Sequence, residues 1–398
     1  MTNIHKELHF ENEICAHLVA NGWLHSASDK GYDRDLALFP EDLIWWIQET
    51  QPETWNKVKA MHNGSTQKKL LERLVKVLTT DGTLSVLRHG FKDVSAGRVN
   101  LCQFKPATTL NSTTIENYGK VRLRVMQQVH YSTSNNNSID LVFFVNGIPV
   151  ATSELKTDFT QSIEDAVKQY KFDRLPKDKS TKKEEPLLAF KRGALVHFAV
   201  STEEVQMTTK LDGVNTRFLP FNLGDNGGKG NPENPNGFKT AYFWEYVLQR
   251  DNFLDILGRF MHLESVDKID KKTGKRVTKT AMIFPRFHQF DAVSKLIATA
   301  KVEGAGHRYL TQHSAGSGKT NTIAWTAHQL SSLHGDDNKK VFDSVIVVTD
   351  RTVLDSQLQD AIYQFEHKQG LVKCIKSEMG DSKSAQLAQA LISNTPII

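Results

Sequence analysis

Three charged residues near the middle of the chain have the types and spacing needed to cut a phosphodiester bond. Asp140 lies at the start of an apolar segment, IDLVFFV, and Glu154 and Lys156 end the next one, IPVATSELK. Paired carboxylates can hold a divalent cation, and a lysine can position or activate the attacking water. Because Glu154 and Lys156 are two residues apart in a strand-like segment, their side chains point to one face.

The two segments that carry these residues are predicted to form an antiparallel hairpin, because Asn146-Gly147 separates two apolar runs. An ideal two-residue turn would place Asp140 opposite Ser153, on the other face from Glu154. The carboxylates can share a metal only if a three-residue loop or a bulge before Glu154 shifts the register. Regular pairing would refute the site.

The surroundings of this Glu-x-Lys string distinguish it from a second one, Glu366-His367-Lys368, which lies in a helical pattern without a partner strand. An alternating segment at 121–131 precedes the hairpin, and a helical segment, SIEDAVKQYKFDRL, follows it. A buried strand, GALVHFAVST, comes next. The alternative interpretation is that the charged residues only end exposed strands.

A glycine-rich string, SAGSGKT, has the composition of a phosphate-binding loop. Gly316 and Gly318 let backbone N–H groups approach a triphosphate. Lys319 would contact the β- and γ-phosphates, and the Thr320 hydroxyl would bind Mg²⁺. His313 stands where the general pattern has its first glycine, but a predicted strand, RYLTQ, before the loop and a helix after it support nucleotide binding.

The sequence after this loop lacks a part that ATP hydrolysis needs. Hydrolysis requires an acid at a strand end to hold Mg²⁺, as in a D-E-x-H box, and no such string follows Thr320. Asp350, at the end of the strand-like VIVVTD, is the candidate, but Arg351 follows it. We therefore expect an N-terminal fragment whose motor stops before its acidic box and which does not hydrolyse ATP.

Composition limits the class of protein. The 398 residues, of which 39% are hydrophobic and 24% charged, are typical of a globular chain of two or more domains. Cys15, Cys102 and Cys374 are far apart and odd in number, so they indicate neither a disulfide framework nor a zinc cluster. Without a signal peptide or an apolar span, we expect a cytoplasmic protein with no membrane contact. The net charge of +5 is compatible with nucleic acid.

Changes of pattern along the chain suggest three regions. Residues 1–260 alternate helical and strand-like segments, which is typical of an α/β domain. We take 261–282 as a basic linker, since six basic residues and one acid lie within 268–279. Residues 283–398 begin with a helix around Gln289 and contain the phosphate loop, so a second α/β domain is expected there.

The motifs together give the chain a resemblance to a known family. Asp140…Glu154-Leu155-Lys156 resembles the PD-(D/E)xK nucleases. With FHQFDAV, QHSAGSGKT and VIVVTDRTVLDSQ in this order, the chain resembles the restriction (R) subunit of type I restriction-modification enzymes. The resemblance implies an α/β fold with a PD-(D/E)xK-like core, a mixed sheet flanked by helices, followed by a truncated RecA-like P-loop helicase domain.

The activity that this resemblance implies is a Mg²⁺-dependent endonuclease joined to an ATP-driven translocase of superfamily 2 on double-stranded DNA. It also implies methylation and specificity subunits as partners, with S-adenosylmethionine used only by the partner methylation subunit. Two alternatives remain. One is a helicase or repair ATPase with structural hairpin carboxylates, and the other is a docking module that binds through the basic loops at 177–183 and 268–279.

The resemblance also implies a role for each candidate residue. Asp140 and Glu154 correspond to metal ligands, and Lys156 corresponds to the catalytic lysine. Gln169 matches the first member of a catalytic Q-x-x-x-Y motif, although Asp173 stands where tyrosine is usual.

Two further residues are carried over from relatives of this kind. Glu11 is similar to an accessory acid on the first helix of many such nucleases, with a solvated helix carboxylate as the alternative. Gln289, with Phe287 nearby, is similar to an adenine-reading element. The predicted ATP-binding residues are Gln289, Ser314, Gly316, Ser317, Gly318, Lys319 and Thr320, and Thr320 is also a predicted metal ligand.

Overall fold

The computed structural model describes residues 3–62, 64–157, 161–269, 274, 276–349, 352–365, 370–375 and 382–398. The chain divides into two compact units. The first contains Met1–Lys105 and Thr113–Gly258, and the second contains Pro106–Ser112 and Arg259–Ile398. The predictions made for Asp350, Arg351, residues 366–368 and three of the linker lysines (271, 272 and 275) lie outside the described residues.

The first unit contains eight described α-helices, and the first five of them form its N-terminal part, where the apolar spacing predicts helices. Phe10, Ile14 and Leu18 bury one face of the first helix, and the chain leaves it at Gly22, with a φ of +88°. The helices are α1 (Asn3–Ala20), α2 (Pro40–Thr50), α3 (Pro52–His62), α4 (Thr66–Asp81), α5 (Thr83–His89), α6 (Ser112–Lys120), α7 (Ile163–Phe172) and α8 (Arg250–Asp255). Two π-helical turns, Phe243–Val247 and Ile256–Phe260, flank α8.

A seven-stranded mixed sheet forms the core of the first unit, so the predicted mixed sheet flanked by helices is confirmed. Its strands in spatial order are β1 (Leu24–Ser26), β4 (Leu123–His130), β5 (Ser138–Val145), β6 (Ile148–Leu155), β7 (Val196–Val200), β8 (Val205–Thr208) and β9 (Leu219–Pro220). The β1–β4 and β6–β7 pairs are parallel, and the other pairs are antiparallel. A separate ribbon is formed by β2 (Phe91–Asp93) and β3 (Gly97–Val99).

The predicted hairpin lies at the centre of this sheet. Every residue of β6 is buried, all eight residues of β5 are buried or half-buried, and so are seven of the eight residues of β4. The near-continuous apolar run of β5 and β6 follows from this position, because a central strand covered on both faces has no solvent face to occupy with polar residues.

The second unit contains two long strands and four helices among its described residues. β10 (His262–Ile269) and β11 (Arg276–Ile283) pair as an antiparallel hairpin over the segment predicted as a linker. The helices are α9 (Phe287–Glu303), α10 (Lys319–Ser331), α11 (Thr352–Tyr363) and α12 (Lys383–Ile392). The division into 1–260, 261–282 and 283–398 stays a prediction.

Two strands are predicted around the phosphate loop, one before it at 308–312 and one after it at 343–350, and only the second has strand-like pairing in the structure. Residues 308–312 form no strand in the described part of the chain and are exposed, because an extended segment without a neighbouring strand has no partners for its backbone groups. Val345 and Val347 do pair in parallel with 396–398, with Val345 N donating to Pro396 O at 2.9 Å and Val347 N to Ile398 O at 2.8 Å. Within the described residues, no helix is long and apolar enough to cross a membrane.

Candidate functional site

A β-bulge interrupts the β5–β6 hairpin between its turn and the candidate carboxylates. Asn146 and Gly147, with φ of +48° and +80°, form the two-residue turn that the Asn-Gly pair predicts. Phe143 pairs with Ala151, whereas the next residue, Phe144, pairs with Pro149. The residue between these two partners, Val150, is therefore the extra residue of the bulge.

The bulge changes which residues face each other at the end of the hairpin that carries the charges. Beyond it, Leu141 pairs with Ser153. Continued by one residue, this register places Asp140 opposite Glu154, so both carboxylates lie on one face. The irregularity that a shared site requires is thus present before Glu154, and the regular register that would have separated the carboxylates is not adopted.

Asp140 is held by a backbone group and by a neighbouring strand. Its Oδ2 accepts a hydrogen bond from Leu155 N at 2.7 Å. Gln128 of β4 donates from Nε2 to Asp140 Oδ1 at 3.3 Å and to Glu11 Oε2 at 3.1 Å. Gln128 has a φ of +48°, a left-handed conformation that is costly for glutamine within a strand and that aims its amide between the two carboxylates.

Glu154 has no exposed surface, and a single guanidinium contacts it. Arg174 Nε donates to Glu154 Oε1 at 2.6 Å. Among the described residues no group hydrogen-bonds Glu154 Oε2, which is buried. Burial and the Asp140 carboxylate raise the pKa of Glu154 well above its usual range, and Arg174 offsets part of this effect.

Glu11 and Lys156 add one more carboxylate and one ammonium to this cluster. Glu11, on α1, is buried, and burial followed by the Asp140 charge raises its pKa to about 7. The described residues offer Glu11 Oε1 no hydrogen-bond partner. Lys156 Nζ donates to Glu7 Oε1 at 2.9 Å and to Leu155 O at 2.8 Å, so its ammonium is paired with the first helix.

Gln169 lies on α7, where the sequence places it, but its side chain makes no hydrogen bond with the described residues through Oε1, which is buried. Its backbone carbonyl accepts from Asp173 N at 2.8 Å and Arg174 N at 2.9 Å, which closes the end of the helix. Through this turn, α7 delivers Arg174 to Glu154. The assignment of Gln169 as a catalytic residue stays a prediction.

The donors of this cluster suit an oxygen-binding cation such as Mg²⁺. Asp140, Glu154 and Glu11 present carboxylate oxygens, and two of these oxygens are buried without a hydrogen-bond partner in the described part of the chain. No group of three or more His, Cys, Asp and Glu residues in the described segments is arranged to hold a metal ion alone. Asp140 and Glu154 are the two carboxylates that the register of the hairpin brings to one face, and one or two carboxylates is the number that Mg²⁺ usually takes from a protein.

Three residues of the cluster, Glu7, Gln128 and Arg174, were not predicted from the sequence. The spacing of Glu7 and Glu11, four residues apart on α1, is a signal that could have found Glu7, because such residues share a helix face. Gln128 and Arg174 carry no comparable local signal, since their partners are distant in the chain.

The phosphate loop of the second unit precedes α10. Gly316 and Gly318 have φ of +74° and +84°, which a phosphate loop requires and glycine adopts at little cost. α10 begins at Lys319, and the Lys319 ammonium folds over the loop to donate to His313 O at 3.0 Å and Ser314 O at 3.3 Å. Thr320 lies in the first turn of α10, directly after Lys319.

Gln289 supports this loop from α9. Its Nε2 donates to Gly318 O at 2.9 Å, and its Oε1 accepts from Arg286 N at 2.9 Å. A Cβ atom at position 318 would lie 2.5 Å from Gln289 Nε2, so a side chain there has no room. Both ends of the buried Gln289 amide are therefore used by the protein, and adenine contact would require one of them to be released. Ser317 is buried beside the loop, and its carbonyl lies 3.1 Å from His288 Nε2.

The first unit and the second unit thus contain two different sites, a buried carboxylate and lysine cluster on a mixed sheet and a glycine loop before a helix. The chain is thus an α/β protein with a glycine loop of the kind that binds nucleotides in its second unit. Residues 11–216, more than half of the chain, match the family described as Type I restriction enzyme R protein N terminus. The chain belongs to this type I restriction enzyme R protein family, as its motifs predict.

The C-terminal part of the chain matches a different family. Residues 288–398 match the SWI2/SNF2 ATPase family, which implies ATP as the nucleotide. A relative in Methanocaldococcus jannaschii, "Putative type I restriction enzyme MjaVIIIP endonuclease subunit", is 23% identical over an alignment of 380 residues. The alignment covers 91% of this chain and 32% of the relative. The chain therefore spans about a third of the length of this curated relative.

Proposed function

We propose that this chain carries the Mg²⁺-dependent DNA-cutting centre of a type I restriction enzyme and the loop that binds ATP for DNA translocation. The observation that supports the nuclease part most is the bulge at Val150, because it brings Asp140 and Glu154 to one face beside Lys156. The proposal includes a PD-(D/E)xK-like fold for the first unit and a RecA-like fold for the second.

Asp140 and Glu154 are the residues that would hold Mg²⁺, with Glu11 as an accessory acid. When bound, the cation supplies Lewis-acid polarisation of the scissile phosphate and a more acidic water. Leu155 N and Gln128 fix the Asp140 carboxylate, so its orientation does not depend on the ligand. Lys156 would orient the attacking water once DNA draws its ammonium away from Glu7. Gln169 is the remaining candidate, and it closes α7 behind the cluster.

In the second unit, Lys319 would move from the loop carbonyls to the β- and γ-phosphates, and Thr320 would bind the nucleotide's Mg²⁺. The remaining ATP-binding candidates are Gln289, Ser314, Gly316, Ser317 and Gly318. Membership in the family supports double-stranded DNA and the methylation and specificity subunits as partners, with S-adenosylmethionine bound by the methylation subunit. It also supports the cytoplasm as the compartment.

Cleavage of duplex DNA by the purified chain with Mg²⁺ or Mn²⁺ tests the nuclease part of the proposal. Asp140→Ala removes a metal ligand, and we expect it to reduce cleavage by more than about a hundredfold. Lys156→Ala is expected to have a similar effect. The control is Lys368→Ala, in the second Glu-x-Lys string, which should cut like the wild type. Equal cutting by the wild type and Asp140→Ala would refute the nuclease assignment.

A helicase or repair ATPase with structural carboxylates is the second candidate function. The ion pairs of Lys156 with Glu7 and of Arg174 with Glu154 favour it, because paired charges are also found in purely structural networks. This candidate predicts nucleotide binding that Lys319→Ala abolishes, with no metal-dependent cutting by any variant. The cleavage assay separates the two functions, because both predict binding of a fluorescent ATP analogue.

A further inference from the structure

The Arg174 side chain is the least expected member of the carboxylate cluster. It is 12% exposed, and its Nε lies 2.6 Å from Oε1 of a fully buried Glu154. The backbone just before Arg174 is fixed by two side chains, because Tyr131 Oη and Asn137 Nδ2 both donate to Asp173 O, at 3.2 Å and 3.3 Å. The end of α7 and the sheet thus aim one guanidinium at one oxygen of Glu154.

This contact differs from a closed structural ion pair in the same unit. Asp42, also fully buried, accepts hydrogen bonds on both carboxylate oxygens, from Arg122 and from Arg124. Glu154 is bonded on Oε1 alone, and its Oε2 has no partner among the described residues. The register of the hairpin places this incompletely bonded carboxylate opposite the negatively charged Asp140.

A cation held between Asp140 and Glu154 would compete with Arg174. Both are positive, both are attracted to the same carboxylate, and the site is buried, where such charges interact strongly. Without a cation, Arg174 offsets part of the cost of placing Glu154 in a buried position opposite Asp140. Glu154 Oε2 has no hydrogen-bond partner among the described residues, and a cation bound there would repel the Arg174 guanidinium and weaken its bond to Oε1.

We infer that Arg174 is a positioning residue that holds Glu154 through Oε1 in the metal-free protein and whose positive charge competes with a divalent cation for this carboxylate. This inference rests on the proposed nuclease site and adds a competitor to it. Removing a residue that supports a metal ligand weakens metal binding, whereas removing a competitor strengthens it. Removal of Arg174 should make the cation bind more tightly, although the metal-free protein becomes less stable.

Isothermal titration of the full chain with Mn²⁺ tests this inference. The titration is done in alkaline buffer, so that the Glu154 carboxyl released from Arg174 is ionised. We expect Arg174→Ala to bind Mn²⁺ roughly tenfold or more tightly than the wild type, since the cation no longer faces the positive charge of the guanidinium. Arg174→Gln keeps a neutral donor and should lie between the two, which also provides a variant if the alanine protein does not fold.

The matched control is Lys168→Ala, which removes a positive charge from the exposed face of the same helix. Its Mn²⁺ affinity should equal that of the wild type. Unchanged or weaker Mn²⁺ binding by both Arg174 variants, with normal binding by the wild type, would overturn the inference and leave the nuclease proposal intact. Failure of the wild type itself to bind Mn²⁺ would overturn both.

Discussion

Two fully buried carboxylates in the first unit are held in contrasting ways. Asp42, in the first turn of α2, accepts from Arg122 Nη1 at 3.1 Å and from Arg124 Nε and Nη2 at 2.6 and 3.0 Å. Glu154, at the end of β6, accepts one hydrogen bond, from Arg174, and lies opposite another carboxylate. Cations outnumber anions around Asp42, whereas the anions are in excess around Glu154.

The aromatic neighbours strengthen this difference. The Arg122 guanidinium lies 3.4 Å from the centre of the Trp45 ring, and that of Arg124 lies 4.2 Å from the Phe39 ring. Asp42 therefore belongs to a closed network that ties α2 to β4, and nothing further is needed to balance its charge. Around Glu154, by contrast, carboxylates are in excess, and two of their oxygens, one on Glu11 and one on Glu154, have no hydrogen-bond partner among the described residues, which supports the proposed metal site.

The largest effect that separates the two carboxylates is expected at Asp42. Asp42→Asn leaves two largely buried guanidinium groups without their counter-ion, and we expect the first unit to lose about 3 kcal/mol of unfolding free energy. Urea denaturation followed by tryptophan fluorescence measures this loss, and Mg²⁺ should not restore it. Glu72→Gln, in an exposed ion pair of α4, serves as the control and should change stability little.

Local signals in the sequence were sufficient for two parts of this molecule. Asn146-Gly147 between apolar runs predicts the hairpin turn, and the glycines at 316 and 318 predict the conformation of the phosphate loop, because each depends on the backbone preferences of a few adjacent residues. The sequence also predicts that Asp140 and Glu154 need an irregular register to meet.

The remaining parts depend on distant partners. The position of the bulge at Val150 is set by packing of a fully buried strand, and an apolar run has no pattern that marks the extra residue. Arg174 and Gln128 contact residues 20 and 117 positions away, so no spacing rule connects them to the site. The strand expected at 308–312 failed for a related reason, because strand-like composition does not provide a neighbouring strand.

His197 is a buried titratable residue that, unlike Asp42 and Glu154, is not held by a charged group in the described part of the chain. His197 of β7 is 1% exposed, its Nδ1 lies 2.8 Å from Thr152 Oγ1, and burial lowers its pKa to about 3. Since the pKa is about 6.5 in the unfolded chain, the unfolded state binds the proton more tightly between these values. Stability conferred by neutral His197 is therefore complete above the unfolded pKa and is lost as the pH falls towards 3.

The expected size of this loss is about 2 kcal/mol between pH 6.5 and 5, at about 1.4 kcal/mol per pH unit. His197→Asn keeps a polar group near Thr152 but cannot take up the proton. Its unfolding free energy, measured by urea titration at several pH values, should lose this slope, even if the variant is less stable at every pH. An unchanged slope would mean that other groups cause the acid sensitivity of the first unit.

The smallest effect, and the sharpest test of the comparison, is expected at Glu154. Glu154→Gln is the same chemical change as Asp42→Asn, since both replace a buried carboxylate by an amide. At Glu154 the amide oxygen can still accept from Arg174, and the repulsion from Asp140 disappears. We expect the unfolding free energy in EDTA to change by less than about 1 kcal/mol.

The same variant should respond differently to metal. Mn²⁺ is expected to raise the melting temperature of the wild type and to leave that of Glu154→Gln unchanged, because a ligand of the cation is missing. Differential scanning fluorimetry with EDTA and with Mn²⁺ measures both quantities in one experiment. If Glu154→Gln costs as much stability as Asp42→Asn, Glu154 is a structural carboxylate like Asp42, and the distinction between a closed and an open carboxylate does not hold in this protein.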